Sequence, residues 1–109
     1  MTTDRRVLVH PDRSTLAGAV AARFLTKLVD LIEDEGRAHV VLTGGSVGIE
    51  VLEAIAHSPG RDSVAWSAVH LWWGDERWLP RGDADRNETQ ARHALIDHIA
   101  IPPHNVHAF

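Results

Sequence analysis

Apolar residues along this chain switch between two rhythms. Val7-Leu8-Val9 is a continuous apolar run closed by Pro11-Asp12 and reads as a buried strand. From Leu16 the spacing turns helical, with Leu16, Ala17, Val20, Ala21, Phe24, Leu25, Leu28, Val29 and Ile32 on one stripe. Arg23, Lys27 and Asp30 lie off that stripe, as in an amphipathic helix packed on a sheet. Gly36 is placed to cap its C-terminus. His39-Val40-Val41-Leu42-Thr43 is β-branched, bounded by glycine, and predicts a second strand. The turn Thr43-Gly44-Gly45-Ser46 leads into a second helix with Ile49, Leu52, Ile55 and Ala56 on one face, stopped by Ser58-Pro59-Gly60. Val69-His70-Leu71-Trp72-Trp73 predicts a third strand, followed by a polar stretch from Gly74 to Asn87. A third helix is expected to start near Asp85 or Asn87, because Asp85…Glu88 and Asn87…Gln90 both have capping-box spacing. It runs past Ala91, Ala94, Leu95 and Ile99 to Pro102-Pro103, and Val106-His107-Ala108-Phe109 begins a fourth strand.

The order β-α-β-α-β-α-(β) predicts an α/β fold, a Rossmann-like parallel sheet with helices on both faces. No internal repeat, low-complexity tract or linker divides the chain. A strand begins just where the sequence stops, so a fragment of a longer protein is expected. The charge, −4 with neutral histidines, argues against general affinity for nucleic acid or anionic membrane. Without cysteine, disulfides, zinc thiolate sites and a thiol nucleophile are excluded. The apolar run near the N-terminus is too short for a signal peptide or a membrane span, and a cytoplasmic protein is expected.

Two predicted loops carry candidate chemistry. In open α/β sheets ligands bind outside the carboxyl ends of the strands, where Thr43-Gly44-Gly45-Ser46-Val47-Gly48 lies. Glycines let successive backbone N–H groups converge on an anion, the helix start adds partial positive charge, and the Thr43 and Ser46 hydroxyls can donate to the same oxygens. The turn lacks the lysine of a Walker loop and the spacing of G-x-G-x-x-G. On the turn alone, a phosphate cradle and a ligand-free turn stand equal. The second loop, Gly74-Asp75-Glu76-Arg77-Trp78-Leu79-Pro80, also follows a strand, and the two line one crevice if those strands lie close. Asp75 can orient a histidine or a sugar hydroxyl, and Arg77 can clamp a phosphate or stabilise an oxyanion. Arg81, Arg86 and Arg92 can add positive potential. A solvated, ion-paired loop is the commoner fate of such a triplet. Trp72, Trp73 and Trp78 are expected in core or lid packing.

Eight histidines raise a metal hypothesis that spacing does not support. His93 and His98 are five apart on a predicted helix and diverge by about 140°. His104 and His107 have no carboxylate nearby in sequence, and H-E-x-x-H, a calcium loop and the G-x-S-x-G elbow are absent. His70, mid-strand, is expected to be a satisfied core residue, and the others surface residues.

Taken together, Val41-Leu42-Thr43-Gly44-Gly45-Ser46, the run Val69 to Pro80 with Trp66 before it, and Asp85-Arg86-Asn87 resemble the N-terminal half of the 6-phosphogluconolactonases, in the glucosamine/galactosamine-6-phosphate isomerase superfamily. Ala91 to Ile96 and Ile101 to His107 extend the likeness. The resemblance implies that residues 1–109 form the N-terminal part of a single sugar-phosphate-binding α/β domain. It implies a cytoplasmic pentose-phosphate-pathway hydrolase that opens 6-phosphoglucono-1,5-lactone without metal or organic cofactor, with a sugar phosphate as its partner and a monomer favoured. By the same resemblance, Gly44, Gly45 and Ser46 fall in the phosphate-side loop, beside the Thr43 hydroxyl, Asp75 and Arg77 are catalytic, and Asn87 closes the loop before the third helix. Ser46-Val47-Gly48 departs from the family's Ser-Thr-Pro, and Arg86 stands where serine is common; Arg86 either contacts the phosphate or points to solvent. The family's general base is a histidine in an Asp-Gly-His segment of the C-terminal half, so the 109-residue chain alone is expected to be inactive. Two other readings stand beside the lactonase: a glucosamine-6-phosphate isomerase/deaminase, whose acidic motif usually continues with an aromatic residue where Arg77 stands, and a non-catalytic sugar-phosphate sensor domain.

Overall fold

The structure, a computed structural model, describes residues 5–109. Helix α1 spans Arg13–Glu35, strand β1 Ala38–Leu42, helix α2 Ser46–His57, strand β2 Val69–Trp73, helix α3 Asn87–Ala94 and strand β3 Val106–His107. Short 3-10 turns at Pro59–Ser63, Trp66–Ala68, Ile96–His98 and Pro103–Asn105 connect them. The three strands form one parallel sheet in the order β1-β2-β3, with Ala38 beside Val69 and Leu42 beside Trp73. Leu71 and Trp72 of β2 sit beside Val106 and His107 of β3. Asn105 fixes that short strand, its Nδ2 donating to the carbonyls of Ser67 and Val69 at 3.0 Å each.

Helix α1 starts before its apolar stripe because Asp12 caps it, accepting the Thr15 N–H at 2.7 Å. Gly36 ends it at φ +80°, with its N–H on the Ile32 carbonyl. Leu25 and Leu28 of α1, Leu52 and Ile55 of α2, and Ala91, Ala94 and Leu95 at α3 close over Ala38, Leu42, Val69, Leu71 and Trp73 of the sheet. Helix α1 packs on α2, and α2 on α3. All three helices therefore share one face of the sheet.

No helix of the described residues packs on the other face. His39, Val41, His70, Trp72 and His107 occupy it. The His39 and His70 rings stack at 4.9 Å between centroids, His70 and His107 at 5.4 Å, and Trp72 lies on His107 at 3.9 Å. His70 Nδ1 and His107 Nε2 share a hydrogen bond at 3.1 Å, and Trp72 Nε1 donates to His39 Nδ1 at 3.1 Å. His70 is thus a half-buried member of a histidine row and not a core residue.

Three further expectations are corrected. Val7-Leu8-Val9 is not a strand; Val7 and Val9 are 86% and 89% exposed. Three residues offer few ladder hydrogen bonds against the backbone freedom lost on ordering. Helix α3 stops at Ala94, short of the proline pair. The His98 ring takes the His93 carbonyl at 2.9 Å, and the chain turns so that Leu95 and Ile96 both become buried. Nor does α3 open on a capping box. Its N-cap, Arg86, makes no side-chain cap bond, and the cap comes from Glu76, eleven residues before Asn87. Glu76 Oε1 accepts the N–H of Asn87 at 2.6 Å and of Arg77 at 2.8 Å, while Oε2 accepts the N–H of Glu88 at 2.9 Å.

Burial works to raise the Glu76 pKa, but these backbone donors and the Arg86 charge outweigh it and hold the group below its ordinary 4.5. A depressed carboxylate stabilises the fold fully above the unfolded value and ceases to as the pH falls through the folded one. We expect Glu76→Ala to lower stability at pH 7 by about 1–3 kcal/mol, read by denaturant unfolding, with the gap to the parent closing below about pH 4. His70 is displaced downward from 6.5 by burial, then by the charges of His39, His107, His104 and Arg37. The unfolded chain takes up this proton first as the pH drops, so acidification past 6.5 costs stability. An NMR titration of the ring should give a midpoint below 6.5.

Candidate active site

Strand β1 ends at Leu42, and the next four residues turn the chain into α2. Gly45 is the N-cap at φ +97°, a left-handed conformation that a side chain would strain. It supplies no side-chain cap, and no carboxylate lies in the first turn, so the leading N–H groups of α2 face outward without an acidic competitor. Gly44 answers a different need. A Cβ there would collide with the Asn87 carboxamide, so the turn and that side chain approach as closely as they do only because residue 44 is glycine.

The second loop leaves β2 beside the first. Because β1 and β2 are neighbours, the Gly74 N–H reaches the Leu42 carbonyl at 3.1 Å, and both loops emerge at one rim. Asp75, Glu76 and Arg77 then point to three places. Glu76 turns inward to cap α3. Asp75 stays exposed, and Asn87 Nδ2 donates to its carbonyl at 3.2 Å and to its Oδ1 at 3.4 Å. Arg77 is exposed, and among the described residues its guanidinium makes no hydrogen bond or ion pair.

These loops border an open cleft of about 650 Å³ lined by Gly45, Ser46, Arg77, Trp78, Leu79, Asp85, Asn87 and Gln90. Of the residues singled out from sequence, the cleft brings together Gly45, Ser46, Arg77 and Asn87. Thr43 is exposed beside it, Gly44 lies behind Asn87, and Asp75 reaches the site through Asn87. Trp78 is fully exposed at the cleft edge, Trp73 is buried and Trp72 belongs to the open sheet face.

Arg86 is neither at the cleft nor in solvent. It is 7% exposed, with Nη1 donating to the Leu79 carbonyl at 3.1 Å and Nη2 to Glu88 Oε1 at 2.9 Å. Sequence reasoning missed this inward turn, and it missed Glu76 and Gln90. The one legible signal was the surplus of acidic residues, Glu76 and Glu88, around an arginine that the resemblance did not require.

A cleft walled by outward N–H groups, a hydroxyl and an unpaired guanidinium suits an anionic ligand. Among the described residues no group of three or more His, Asp or Glu is arranged to hold a metal ion, and no helix is long and apolar enough to cross a membrane.

Residues 11–109 match the family model of glucosamine-6-phosphate isomerases/6-phosphogluconolactonase. The chain is 50% identical over 108 residues to a 6-phosphogluconolactonase of Streptomyces coelicolor, covering 99% of this chain and 41% of that protein. It superposes on the crystal structure of the Thermotoga maritima 6-phosphogluconolactonase with a TM-score of 0.75 at 28% identity, over 84% of this chain and 40% of that one. A monomeric glucosamine-6-phosphate deaminase shares the fold, with a TM-score of 0.76 at 16% identity over 95% of this chain and 42% of that one. The chain thus spans about two fifths of the length of the relatives it matches. With the family model covering all but the first ten residues, and half the positions shared with one relative, the chain belongs to the glucosamine-6-phosphate isomerase/6-phosphogluconolactonase family.

Proposed function

We propose that this chain is the phosphate-side part of a 6-phosphogluconolactonase, which hydrolyses 6-phospho-D-glucono-1,5-lactone to 6-phosphogluconate. The observation that carries the reading is the cleft in which the unpaired Arg77 guanidinium shares a wall with Gly45 and Ser46 at the start of α2. The 50% identity with a relative of that name supports it.

In this reading the phosphate of the substrate sits against the N–H groups of the α2 start and the Ser46 hydroxyl, with Arg77 as its counter-charge. Asn87 holds the two loops together, and Asp75 orients a group on the sugar side. Water adds to the lactone carbonyl, the bond from that carbon to the ring oxygen breaks, one proton of the water ends on the freed hydroxyl, and the other leaves the new carboxyl group as acid. The step needs a base for the water and donors for the tetrahedral oxyanion, and no metal or organic cofactor. The base is assigned to the part of the protein outside this match. A sugar phosphate as the only partner and a cytoplasmic monomer belong to the same reading.

A glucosamine-6-phosphate isomerase/deaminase shares the fold but is disfavoured by Arg77, since an aromatic residue usually follows the acidic pair in those enzymes. A sensor domain would bind the sugar phosphate without turnover.

Lactone hydrolysis by the full-length protein, followed as acid release, decides among these. The lactonase reading expects a rate well above spontaneous opening; ammonia release from glucosamine 6-phosphate, or binding without turnover, would replace it. Arg77→Ala in that protein should lower kcat/KM by about 10- to 100-fold, mainly through KM, since a charged hydrogen-bond partner of the phosphate is lost. Gly44→Ala should push Asn87 away and lower kcat/KM more than it lowers the unfolding midpoint; wild-type kinetics would remove the Gly44–Asn87 contact from the site.

A further inference from the structure

We propose that Arg86 is a positioning residue: from inside the protein it holds the loop that carries Arg77 at the distance from α2 that phosphate capture requires. The proposal rests on the function proposed above and adds a residue that touches no substrate. It assigns Arg86 neither the phosphate contact nor the solvent-facing position that the sequence leaves open.

The guanidinium ties the loop after β2 to the first turn of α3. Nη1 takes the Leu79 carbonyl, and Leu79 in turn donates its own N–H to the Arg77 carbonyl at 2.8 Å. Nη2 reaches Glu88 Oε1 at 2.9 Å in the first turn of α3, with Glu76 Oε2 at 3.7 Å. The same nitrogen donates to the Phe109 carbonyl at 3.1 Å, just past β3. The Arg86, Glu76 and Glu88 side chains are 8%, 6% and 5% exposed, so their hydrogen bonds form largely out of water.

Charge balances within the cluster. Arg92 donates to the other Glu88 oxygen, Oε2, at 2.9 Å, so two arginines face two carboxylates. Breaking such a set leaves an uncompensated buried charge, and the surrounding backbone must move to let water in. The backbone that would move is residues 76–79, which includes Arg77. Lysine could restore the charge but not the planar fork that reaches a carbonyl on one side and a carboxylate on the other.

The test uses the full-length protein with Arg86→Gln, Arg77→Ala and the double variant, measuring lactone kcat and KM together with inorganic phosphate binding by calorimetry. Arg86→Gln is expected to raise KM about tenfold with kcat nearly kept, and to add little in the Arg77→Ala background, because it acts through Arg77. Losses that multiply in the double variant would overturn the proposal in favour of direct phosphate contact. A lowered melting temperature with unchanged KM would reduce Arg86 to a stability residue. Where Arg86→Gln does not fold, Arg86→Lys replaces it, with a smaller rise in KM that again vanishes beside Arg77→Ala; a rise that persists there overturns the proposal. If the protein opens no lactone, the phosphate titrations still decide. Equal, non-additive weakening by the two variants keeps Arg86 as a positioning residue while the lactonase reading falls, and additive weakening ends both.

Discussion

Three backbone N–H groups converging on the Glu76 carboxylate give the cleft its shape. Two belong to the first turn of α3 and one to the loop that leaves β2, so a single side chain closes the excursion between residues 77 and 86 at its base. Without it, the start of α3 has orphan donors and no cap of its own. The position of Glu76 also explains the triplet around it. The middle residue turns inward to the helix, and its neighbours are left for the rim, Arg77 in the cleft and Asp75 against Asn87. One structural carboxylate thereby sets the direction of the side chains on either side of it.

The parts of this arrangement that were legible in sequence are those set by local chemistry. Glycine at 36 ends α1, glycine at 45 begins α2, and the runs Ala38–Leu42 and Val69–Trp73 form strands because their composition permits little else. The shared rim of the two loops was legible only as a condition, met because β1 and β2 are neighbours in a parallel pair. What stayed hidden depends on contacts between residues far apart in sequence. The spacing of Asn87 and Gln90 imitates a capping box, yet the capping group comes from another loop. An exposed arginine and a buried one look alike in sequence; only Leu79, Glu76 and Glu88 around the guanidinium separate Arg86 from Arg77. Val7-Leu8-Val9 has a strand's composition without a partner for its backbone.

Net charge, too, misleads when read as a sum. An acidic chain is an unpromising binder of anions, but the total says nothing about which charges are spent internally. Arg86 and Arg92 are neutralised by Glu76 and Glu88 beneath the cleft, whereas Arg77 keeps its charge at the surface beside N–H groups that no carboxylate competes for. An anion approaching that rim meets donors and a cation, with Asp85 the acidic residue among those that line the cleft.

The sheet applies the same division of labour to its two faces. Strands of parallel sheets are commonly covered on both sides and read as unbroken apolar runs. Here β1 and β2 alternate instead, and the register sets His39 beside His70. Imidazoles packed face to face at 4.9 and 5.4 Å tolerate one another while neutral and repel when protonated. The histidine face joins β3 to the sheet as well, with the His107 ring stacked on Trp72 and His70 beside the Asn105 hydrogen bonds to the Ser67 and Val69 carbonyls.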